Sequence, residues 1–287
     1  MLSLACEAPK KNTENAAQDT VATDTVARAP LSLSLKWETD TLLTTSESVI
    51  YDKDRDVLYV SNINGAPDAK DKNGFISKVS TDGKVTELQW VKNLHAPKGM
   101  GLSGTKLYVT DIDRVVEIDV TNGKITKTFA VDGAKFLNDI TVDVNGRIFI
   151  SDMQAGNILM IENGKLTRWL ENIQGPNGLL AEDGRMLVLT WDSKAVNSVD
   201  PVTKQVTVRA TGIENLDGVE AVGDGGYLLS SWNGMVHYLD KDWQNYTILD
   251  LRSDSVNSAD IEYIADKNLL LVPTFFKNTV RAYELNK

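Results

Sequence analysis

From Leu31 onward, short runs of alternating apolar and polar residues are separated by tight turns. The stretch from Phe136 to Asp152 shows the pattern most clearly. Apolar residues alternate with polar ones over Ile140–Val144, an Asn-Gly turn follows, and a second apolar run begins at Ile148. Alternation on both sides of an Asn-Gly turn predicts a β-hairpin. No stretch of any length shows the 3.6-residue period of an amphipathic helix.

The same unit of a polar residue, a strand, a turn and a second strand recurs about every 40 residues along the chain. The polar residues that head the six units are Glu47, Lys98, Asn138, Asn177, Asp217 and Asp260. Each unit continues with a third strand and usually a fourth. Four short strands in a repeat of about 40 residues are typical of a propeller blade. The sequence therefore predicts an all-β protein, a six-bladed β-propeller with four-stranded blades.

The last unit runs out after three strands at Lys287, whereas an early strand, Leu31–Glu38, has no other partner. We expect this N-terminal strand to complete the last blade and to close the ring, which also removes exposed sheet edges. The predicted propeller thus spans residues 31–287. Residues 7–30 are rich in Ala, Thr, Asn, Asp and Lys and are predicted to be a flexible tether.

Cys6 is the only cysteine of the chain, so no internal disulfide can form. Residues 1–6 resemble the end of a bacterial lipoprotein signal, in which an apolar segment and a small residue precede a lipidated Cys. Two interpretations stay open: residues 1–6 are a signal remnant with Cys6 as the lipidation site, or Cys6 is an unmodified thiol. The first predicts an exported, periplasmic or cell-surface protein that reaches a membrane only through its lipid anchor.

The net charge of −10 and the scarcity of His and Cys narrow the classes of partner. Binding to nucleic acid needs a basic face, so we expect no nucleic-acid partner. No apolar run approaches the length of about 18 residues that a membrane span requires. With two His residues and one Cys, a zinc or copper site is not expected. A small-molecule substrate or ligand stays open as the expected partner, and a protein partner stays open beside it.

The phase of the repeat places the six head residues together. The first strand of a propeller blade lines the central channel, so the residue before it should lie at one mouth. Four heads carry the hard oxygen donors that Ca²⁺ prefers, and two carboxylates with two neutral amides balance a divalent cation. These four residues, the quartet, are Glu47, Asn138, Asn177 and Asp217. The alternative for each is a turn residue at a strand start, since Asn and Asp favour turns.

Four segments of the chain resemble those of the SMP-30/gluconolactonase/luciferin-regenerating family, whose members are calcium-dependent six-bladed propellers. The segments are TTSESVIYDKDRDVLYVSNI, FLNDITVDVNGRIFISDM, GPNGLLAEDGRMLVL and LDGVEAVGDGGYLL. The resemblance implies that Glu47, Asn138, Asn177 and Asp217 bind Ca²⁺ or another divalent cation, and that Asp217 is also the general base. It further implies hydrolysis of a small lactone or ester at the central channel.

The chain also departs from that family. Phe136 stands where lactonase members carry a substrate-handling Arg, and the loop Asp152–Asn157 is shorter than their acidic substrate loop. Two functions therefore stay open: a calcium-dependent hydrolase of the lactonase type, and a non-catalytic ligand- or protein-binding propeller with a structural calcium. We expect Lys98 to hold an anionic group or to screen the carboxylates, and Asp139 and Asp260 to support the ligands.

The Trp residues mostly end strands, and we expect most of them to pack between blades. Trp191 and Trp232 differ from the rest, because they stand at equivalent positions of their repeats near the channel.

Overall fold

The computed structural model describes residues 1–2 and 29–286, and residues 29–286 form a ring of six four-stranded antiparallel sheets. This arrangement confirms the predicted six-bladed β-propeller. Cys6, and most of the predicted signal remnant and tether, lie outside the described residues. Within the described ranges, no helix has the length and apolar character needed to cross a membrane.

The first strand of the chain, β1 (Ser32–Glu38), belongs to the last blade, and every other blade takes four consecutive strands. Blades 1 and 2 contain β2 (Ser46–Asp52), β3 (Val57–Asn62), β4 (Gly74–Ser80), β5 (Val85–Leu94), β6 (Pro97–Ser103), β7 (Lys106–Asp111), β8 (Arg114–Asp119) and β9 (Lys124–Ala130). Blades 3 and 4 contain β10 (Leu137–Val142), β11 (Ile148–Asp152), β12 (Asn157–Glu162), β13 (Lys165–Glu171), β14 (Pro176–Glu182), β15 (Arg185–Thr190), β16 (Ala195–Val199) and β17 (Val206–Thr211). Blades 5 and 6 contain β18 (Leu216–Ala221), β19 (Tyr227–Ser231), β20 (Met235–Leu239), β21 (Asn245–Asp250), β22 (Glu262–Ile264), β23 (Leu269–Pro273) and β24 (Val280–Asn286). Two single-turn 3-10 helices, Arg252–Asp254 and Ala265–Lys267, complete the regular structure of the described part.

The ring closes as the sequence predicts. Strand β1 pairs antiparallel with β24, with Ser32 opposite Asn286, and the last sheet has the order β1-β24-β23-β22. One boundary differs from the expectation. Strand β22 begins at Glu262 rather than at Asp260, because the backbone N–H of Asp260 donates to the carbonyl of Glu47 in blade 1 at 3.0 Å. Asp260 thus joins the last blade to the first.

The apolar core is divided into layers between neighbouring blades. Between blades 1 and 2, for example, Tyr59 packs in one cluster with Leu107. Trp90, Trp169 and Trp243 lie in or against three of these layers, as expected for inter-blade packing. Since the layers surround the axis, the channel is left free for polar side chains.

The first strands of blades 1 to 5 are irregular at the same place. The pairing register with the second strand shifts across the head residue and the residue after it, between Ser46/Val49, Pro97/Met100, Leu137/Ile140, Pro176/Leu179 and Leu216/Val219. A bulge of this kind bends the strand and redirects its side chains. Five of the six heads therefore sit in irregular backbone at the start of a channel-lining strand.

Candidate functional site

A cavity of about 230 Å³ opens where the first strands begin, and we call it the quartet cavity. Its polar lining consists of Lys98 and the quartet, Glu47, Asn138, Asn177 and Asp217. Its apolar lining consists of Ile63, Pro67, Phe136, Met153, Trp191, Trp232 and Phe275. The structure thus brings the four predicted ligands to one place, together with Lys98 and Phe136.

Buried hydroxyls in the second strands support the irregular heads. A bulge leaves a backbone N–H without a ladder partner, and such a buried donor must be satisfied elsewhere. In blades 1, 3 and 5 a serine of the second strand accepts this bond, from Ser48 N to Ser61 Oγ at 2.9 Å, from Asp139 N to Ser151 Oγ at 2.8 Å and from Gly218 N to Ser230 Oγ at 2.8 Å. The sequence signal for this support is a Ser near the end of each of these second strands.

Two aspartates that sequence reasoning did not assign to the site hold the loops before the heads of blades 2 and 3. Asp111 Oδ1 accepts bonds from the backbone N–H groups of His95 and Ala96 at 2.8 and 2.9 Å. Asp152 Oδ1 accepts the N–H of Phe136 at 2.9 Å. The detectable signal is the Thr-Asp or Ser-Asp pair that ends β7 and β11.

Neighbouring heads approach one another backbone to backbone. A Cβ atom added at Gly178 would lie 1.9 Å from the carbonyl oxygen of Asp217, so only glycine fits there. At Gly218 an added Cβ would lie 2.5 Å from a backbone nitrogen of blade 6. The close approach brings the side chains into contact, and Asn177 Nδ2 donates to Asp217 Oδ1 at 3.0 Å.

The quartet holds two buried oxygens without a hydrogen-bond donor. These atoms are Glu47 Oε2 and Asn177 Oδ1, two of the five buried unpartnered side-chain N and O atoms in the described residues. Within residues 1–2 and 29–286, no group of three or more His, Cys, Asp or Glu is placed to hold a metal. A cation at this mouth must therefore be held by amide as well as carboxylate oxygens, and hard oxygen donors of this kind fit Ca²⁺.

The raised pKa values of the two quartet carboxyls also fit a cation site. Burial raises the pKa of Glu47 well above its usual value, and the charges of Asp217 and Asp260 raise it further, whereas Lys98 lowers it. Burial and the charge of Asp260 likewise raise the pKa of Asp217, against the bond from Asn177. A divalent cation would add positive charge and lower both pKa values.

Lys98 is fully enclosed at the edge of the cavity, with 1% of its surface exposed. Its ammonium donates to the carbonyls of Pro67 and Ala96 at 2.8 and 3.1 Å and lies 4.4 Å from the centre of the Phe136 ring. Burial lowers the pKa of Lys98 to about 8, and the charge of Glu47 opposes that shift. These contacts hold Lys98 in place without a direct hydrogen bond to the quartet, so its effect on the carboxylates is through charge.

Asp139 and Asp260 do not line the quartet cavity. They border a second cavity, of about 390 Å³, toward the far ends of the first strands. We call it the acidic cavity because six carboxyl side chains line it: Asp52, Asp54, Asp139, Glu220, Asp260 and Glu262. The Asp139 carboxylate accepts the backbone N–H of Leu179 at 2.6 Å, and Asp260 accepts the hydroxyl of Ser48 at 2.6 Å. Both side chains thus link neighbouring blades.

The apolar lining comes from a repeated position that the sequence analysis recognised only at Trp191 and Trp232. The residue directly after the second strand is apolar in blades 1 to 5, and in blade 6 the equivalent residue stands one place later. These residues are Ile63, Ile112, Met153, Trp191, Trp232 and Phe275. The repeat alone could have predicted this apolar lining, because an apolar residue follows each second strand.

Comparison with solved structures places the fold among several propellers. A streptogramin B lyase matches with a TM-score of 0.66 at 13% identity, over 89% of this chain and 98% of that chain. A proposed gluconolactonase matches with a TM-score of 0.65 at 15% identity, over 90% and 93% of the two chains. A chain of the nidogen/laminin complex matches with a TM-score of 0.59 at 18% identity, over 72% and 84%. At these identities the likeness shows the fold alone.

Sequence comparison is more specific. No curated protein matches the chain. The model of the SMP-30/Gluconolactonase/LRE-like region matches residues 45–235, about two thirds of the chain, and this range contains all four residues of the quartet. The protein therefore belongs to the SMP-30/gluconolactonase/LRE-like family.

Proposed function

We propose that the protein is a hydrolase of the lactonase or esterase type that depends on a divalent cation, with Ca²⁺ as the cation that best fits the quartet. The observation that carries this proposal is the pair of buried oxygens without donors, Glu47 Oε2 and Asn177 Oδ1, in the same cavity as Asp217. Buried acceptors are normally satisfied, and a cation satisfies both at once. Membership of the family supports the same chemistry.

Each polar residue of the cavity has its own role in the proposed hydrolysis. The quartet would hold the calcium ion, whose positive charge would polarise a carbonyl and stabilise the charge developing on its oxygen. Asp217 is the candidate general base, because its carboxylate lines the cavity beside the other proposed ligands. The bond from Asn177 fixes Oδ1 and leaves Oδ2 to take a proton from water. The charge of Lys98 favours the ionised form of Glu47.

The proposal is tested by hydrolysis of a panel of lactones and aryl esters with and without a chelator. We expect turnover that a chelator abolishes and added Ca²⁺ restores. Asp217→Asn should lower kcat by at least about 100-fold, the contribution of a positioned general base. Asp183→Asn, the same change in an exposed turn, is the matched control and should leave kcat unchanged. Unchanged hydrolysis and unchanged calcium affinity in Asp217→Asn would contradict the assignment.

A second candidate function is supported by the position of Phe136. Its ring lies over the Lys98 ammonium at the place where catalytic relatives are expected to offer a charged substrate-handling group. An aromatic ring stands in place of that group. The alternative function is therefore a non-catalytic propeller that binds a ligand or a protein, in which the cation only stiffens the channel. A rise in melting temperature with Ca²⁺, but no turnover of any member of the panel, would favour it.

A further inference from the structure

The quartet cavity is walled by apolar side chains that the catalytic assignment leaves unexplained. Five of the six residues that follow the second strands line it: Ile63, Met153, Trp191, Trp232 and Phe275. Because each blade contributes this residue from an equivalent position, the repeat builds a nearly continuous apolar rim around the candidate ligands. Phe136 and Pro67 add to the rim from the loops.

The aromatic part of the rim is pre-organised. The ring centres of Trp191 and Trp232 lie 6.5 Å apart, and Phe275 packs edge-to-face on Trp232 at 5.3 Å. Phe276 packs edge-to-face on Phe275 at 4.8 Å, with 63% of its surface exposed. Such offset and edge-to-face pairs fix the planes of the rings. The aromatic side chains of blades 4, 5 and 6 therefore form a wall whose ring orientations are fixed by their mutual packing.

The backbone at Phe275 supports this conclusion. Its φ of 51° lies in the left-handed region, which residues other than glycine seldom adopt. Strain of this kind persists where the surroundings hold it. Phe275 is only 6% exposed and packs with Ile63, Ile112 and Ala259. The turn is thus held in a conformation that directs an aromatic ring to the cavity.

The hydrogen-bonding capacity of the cavity is small by contrast. No Ser, Thr, Tyr, His or Arg side chain is among the described residues that line it. Lys98 already donates to two carbonyls, and the Asn177 amide donates to Leu216 O and to Asp217. The remaining side-chain donors in the lining are the Asn138 amide, which contacts Met153 Sδ at 3.8 Å, and the indole N–H groups of Trp191 and Trp232. When a cation occupies the oxygens of the quartet, few donors and acceptors are left for a ligand with several hydroxyl groups, and unpaired hydroxyls weaken its binding.

We infer that the quartet cavity takes a small, flat, apolar substrate, an aryl ester or aromatic lactone with a single ring, and discriminates against polyhydroxylated sugar lactones. The inference rests on the proposed hydrolase function and names its substrate class. A volume of about 230 Å³ lies below the range of roughly 300–1,000 Å³ for drug-sized ligands, in keeping with one ring. In the reaction, the water oxygen bonds to the carbonyl carbon, the acyl–oxygen bond breaks, and the proton accepted by Asp217 passes to the departing phenoxide oxygen, which becomes the phenol.

The first experiment compares kcat/KM for phenyl acetate and dihydrocoumarin with that for D-glucono-δ-lactone, with Ca²⁺ present. We expect the aromatic substrates to be favoured by about 100-fold, the discrimination that an apolar pocket achieves against added hydroxyl groups. A preference for the sugar lactone would overturn the substrate class and leave the hydrolase function standing.

The second experiment measures binding without turnover. Acetophenone, a flat aromatic ketone that cannot be hydrolysed, is titrated calorimetrically into the calcium-loaded protein. Trp232→Ala should weaken its binding about tenfold through the lost aromatic contact, whereas Trp37→Ala, in the outer strand β1, should not weaken it. Folding of both variants is checked by circular dichroism and by melting temperature.

The two experiments separate the inference from the function on which it rests. Acetophenone binding that depends on Trp232, with no hydrolysis of any substrate, would support the aromatic ligand class and contradict the hydrolase. Acetophenone binding that Trp232→Ala leaves unchanged, or no binding at all, would overturn the inference whatever the turnover.

Discussion

The two cavities of the channel are built from opposite ends of the same strands, yet they carry different chemistry. In β18, Asp217 faces the quartet cavity and Glu220, three residues later, faces the acidic cavity. The acidic cavity has more carboxyl groups and a larger volume, but several of those groups already have donors: Asp52 accepts from Arg55, Asp139 from a backbone N–H and Asp260 from a hydroxyl. The quartet cavity has two carboxylates, and one oxygen of Glu47 is buried without a partner. Unpartnered buried oxygens, rather than the number of carboxylates, therefore support the quartet as the proposed cation site.

The walls differ in the same way. Apolar side chains surround the quartet and lower the polarity around it, which strengthens electrostatic interactions inside. In the acidic cavity, burial raises the pKa of Asp260 to about 7, and burial together with the charge of Asp260 raises the pKa of Glu262 to about 8. The carboxyls of both cavities can therefore reduce their charge by binding protons, but the quartet also holds a buried amide oxygen, Asn177 Oδ1, that takes no proton.

The largest expected effect on stability comes from adding a side chain at Gly178, where the backbones of β14 and β18 approach each other. Gly178→Ala places a Cβ 1.9 Å from Asp217 O and should lower the free energy of unfolding by about 3 kcal/mol, through displacement of the blade 5 backbone. The measurement is the urea midpoint, with calcium affinity as a second readout that should fall with it.

Gly184→Ala is the control for this substitution. No atom lies within 4 Å of its added Cβ, so only the left-handed φ of 76° costs stability, about 1 kcal/mol. Equal losses in the two variants would contradict the close approach of β14 and β18.

Calcium should act on one cavity and not on the other. At a concentration 100 times its dissociation constant, a ligand that binds only the folded state adds about 2.7 kcal/mol to the free energy of unfolding. Glu47→Gln should remove most of this gain by taking away a charged ligand, whereas Glu262→Gln should keep it. Melting temperatures with and without Ca²⁺ measure both, and a gain lost only in Glu262→Gln would move the cation to the acidic cavity.

The pH dependence of stability tests the protonation of the acidic cavity. The folded-state pKa of Glu262, about 8, lies above its ordinary value of 4.5, so the folded state holds a proton that the unfolded chain has lost. This contribution is full below pH 4.5 and is lost as pH rises toward 8. The full shift would be worth roughly 4 kcal/mol at pH 8, but Glu262 is partly exposed and solvent screens part of this penalty. We therefore expect Glu262→Gln to be more stable than the parent by about 2 kcal/mol at pH 8 and nearly equal to it at pH 4.

Urea unfolding of the calcium-free protein at the two pH values measures this difference. The exposed residue Glu162 provides the control, since Glu162→Gln should show no such difference between pH 4 and pH 8. A stabilisation by Glu262→Gln that does not vary with pH would show that the proton on this carboxyl is not its cause.

The smallest expected effect concerns the hydroxyls that support the heads. Ser230→Ala leaves the backbone N–H of Gly218 buried without its acceptor and should lower the free energy of unfolding by about 1 kcal/mol. Because Gly218 follows Asp217, calcium affinity should also fall a few-fold. Ser253→Ala, at an exposed position, should change neither quantity, and calorimetry with a urea titration tests both variants.

The sequence determines the ring because its signals are local and repeat. Period-2 alternation, turn residues and a spacing of about 40 residues each follow from short-range geometry, so the blade number and the closing strand could be predicted. The convergence of Glu47, Asn138, Asn177 and Asp217 on one cavity follows from the same phase. Their role as metal ligands stays a prediction.

The remaining features depend on contacts between blades. That Asp260 binds blade 1 instead of extending β22 depends on the position of Glu47, more than 200 residues away in the chain. The division of carboxylates into partnered and unpartnered groups likewise depends on which backbone N–H groups lie opposite them. The apolar rim was visible in the repeat, but Phe275 is displaced by one residue from the other members, which hides it from a simple alignment of the units.

The pairing of Ser32 with Asn286 has a mechanical consequence. Because β1 and β24 are antiparallel, Ser32 lies beside the carboxyl end of β24 at the rim of blade 6. A force applied between residue 31 and the carboxyl end of β24 would separate the two strands one hydrogen-bonded pair at a time. It would not load all the pairs together, as shearing does. The same proximity makes the two ends of the propeller easy to join with a short linker. A circularly permuted chain opened at the turn between β17 and β18 would then place the seam in another part of the ring, where its resistance to force could be compared.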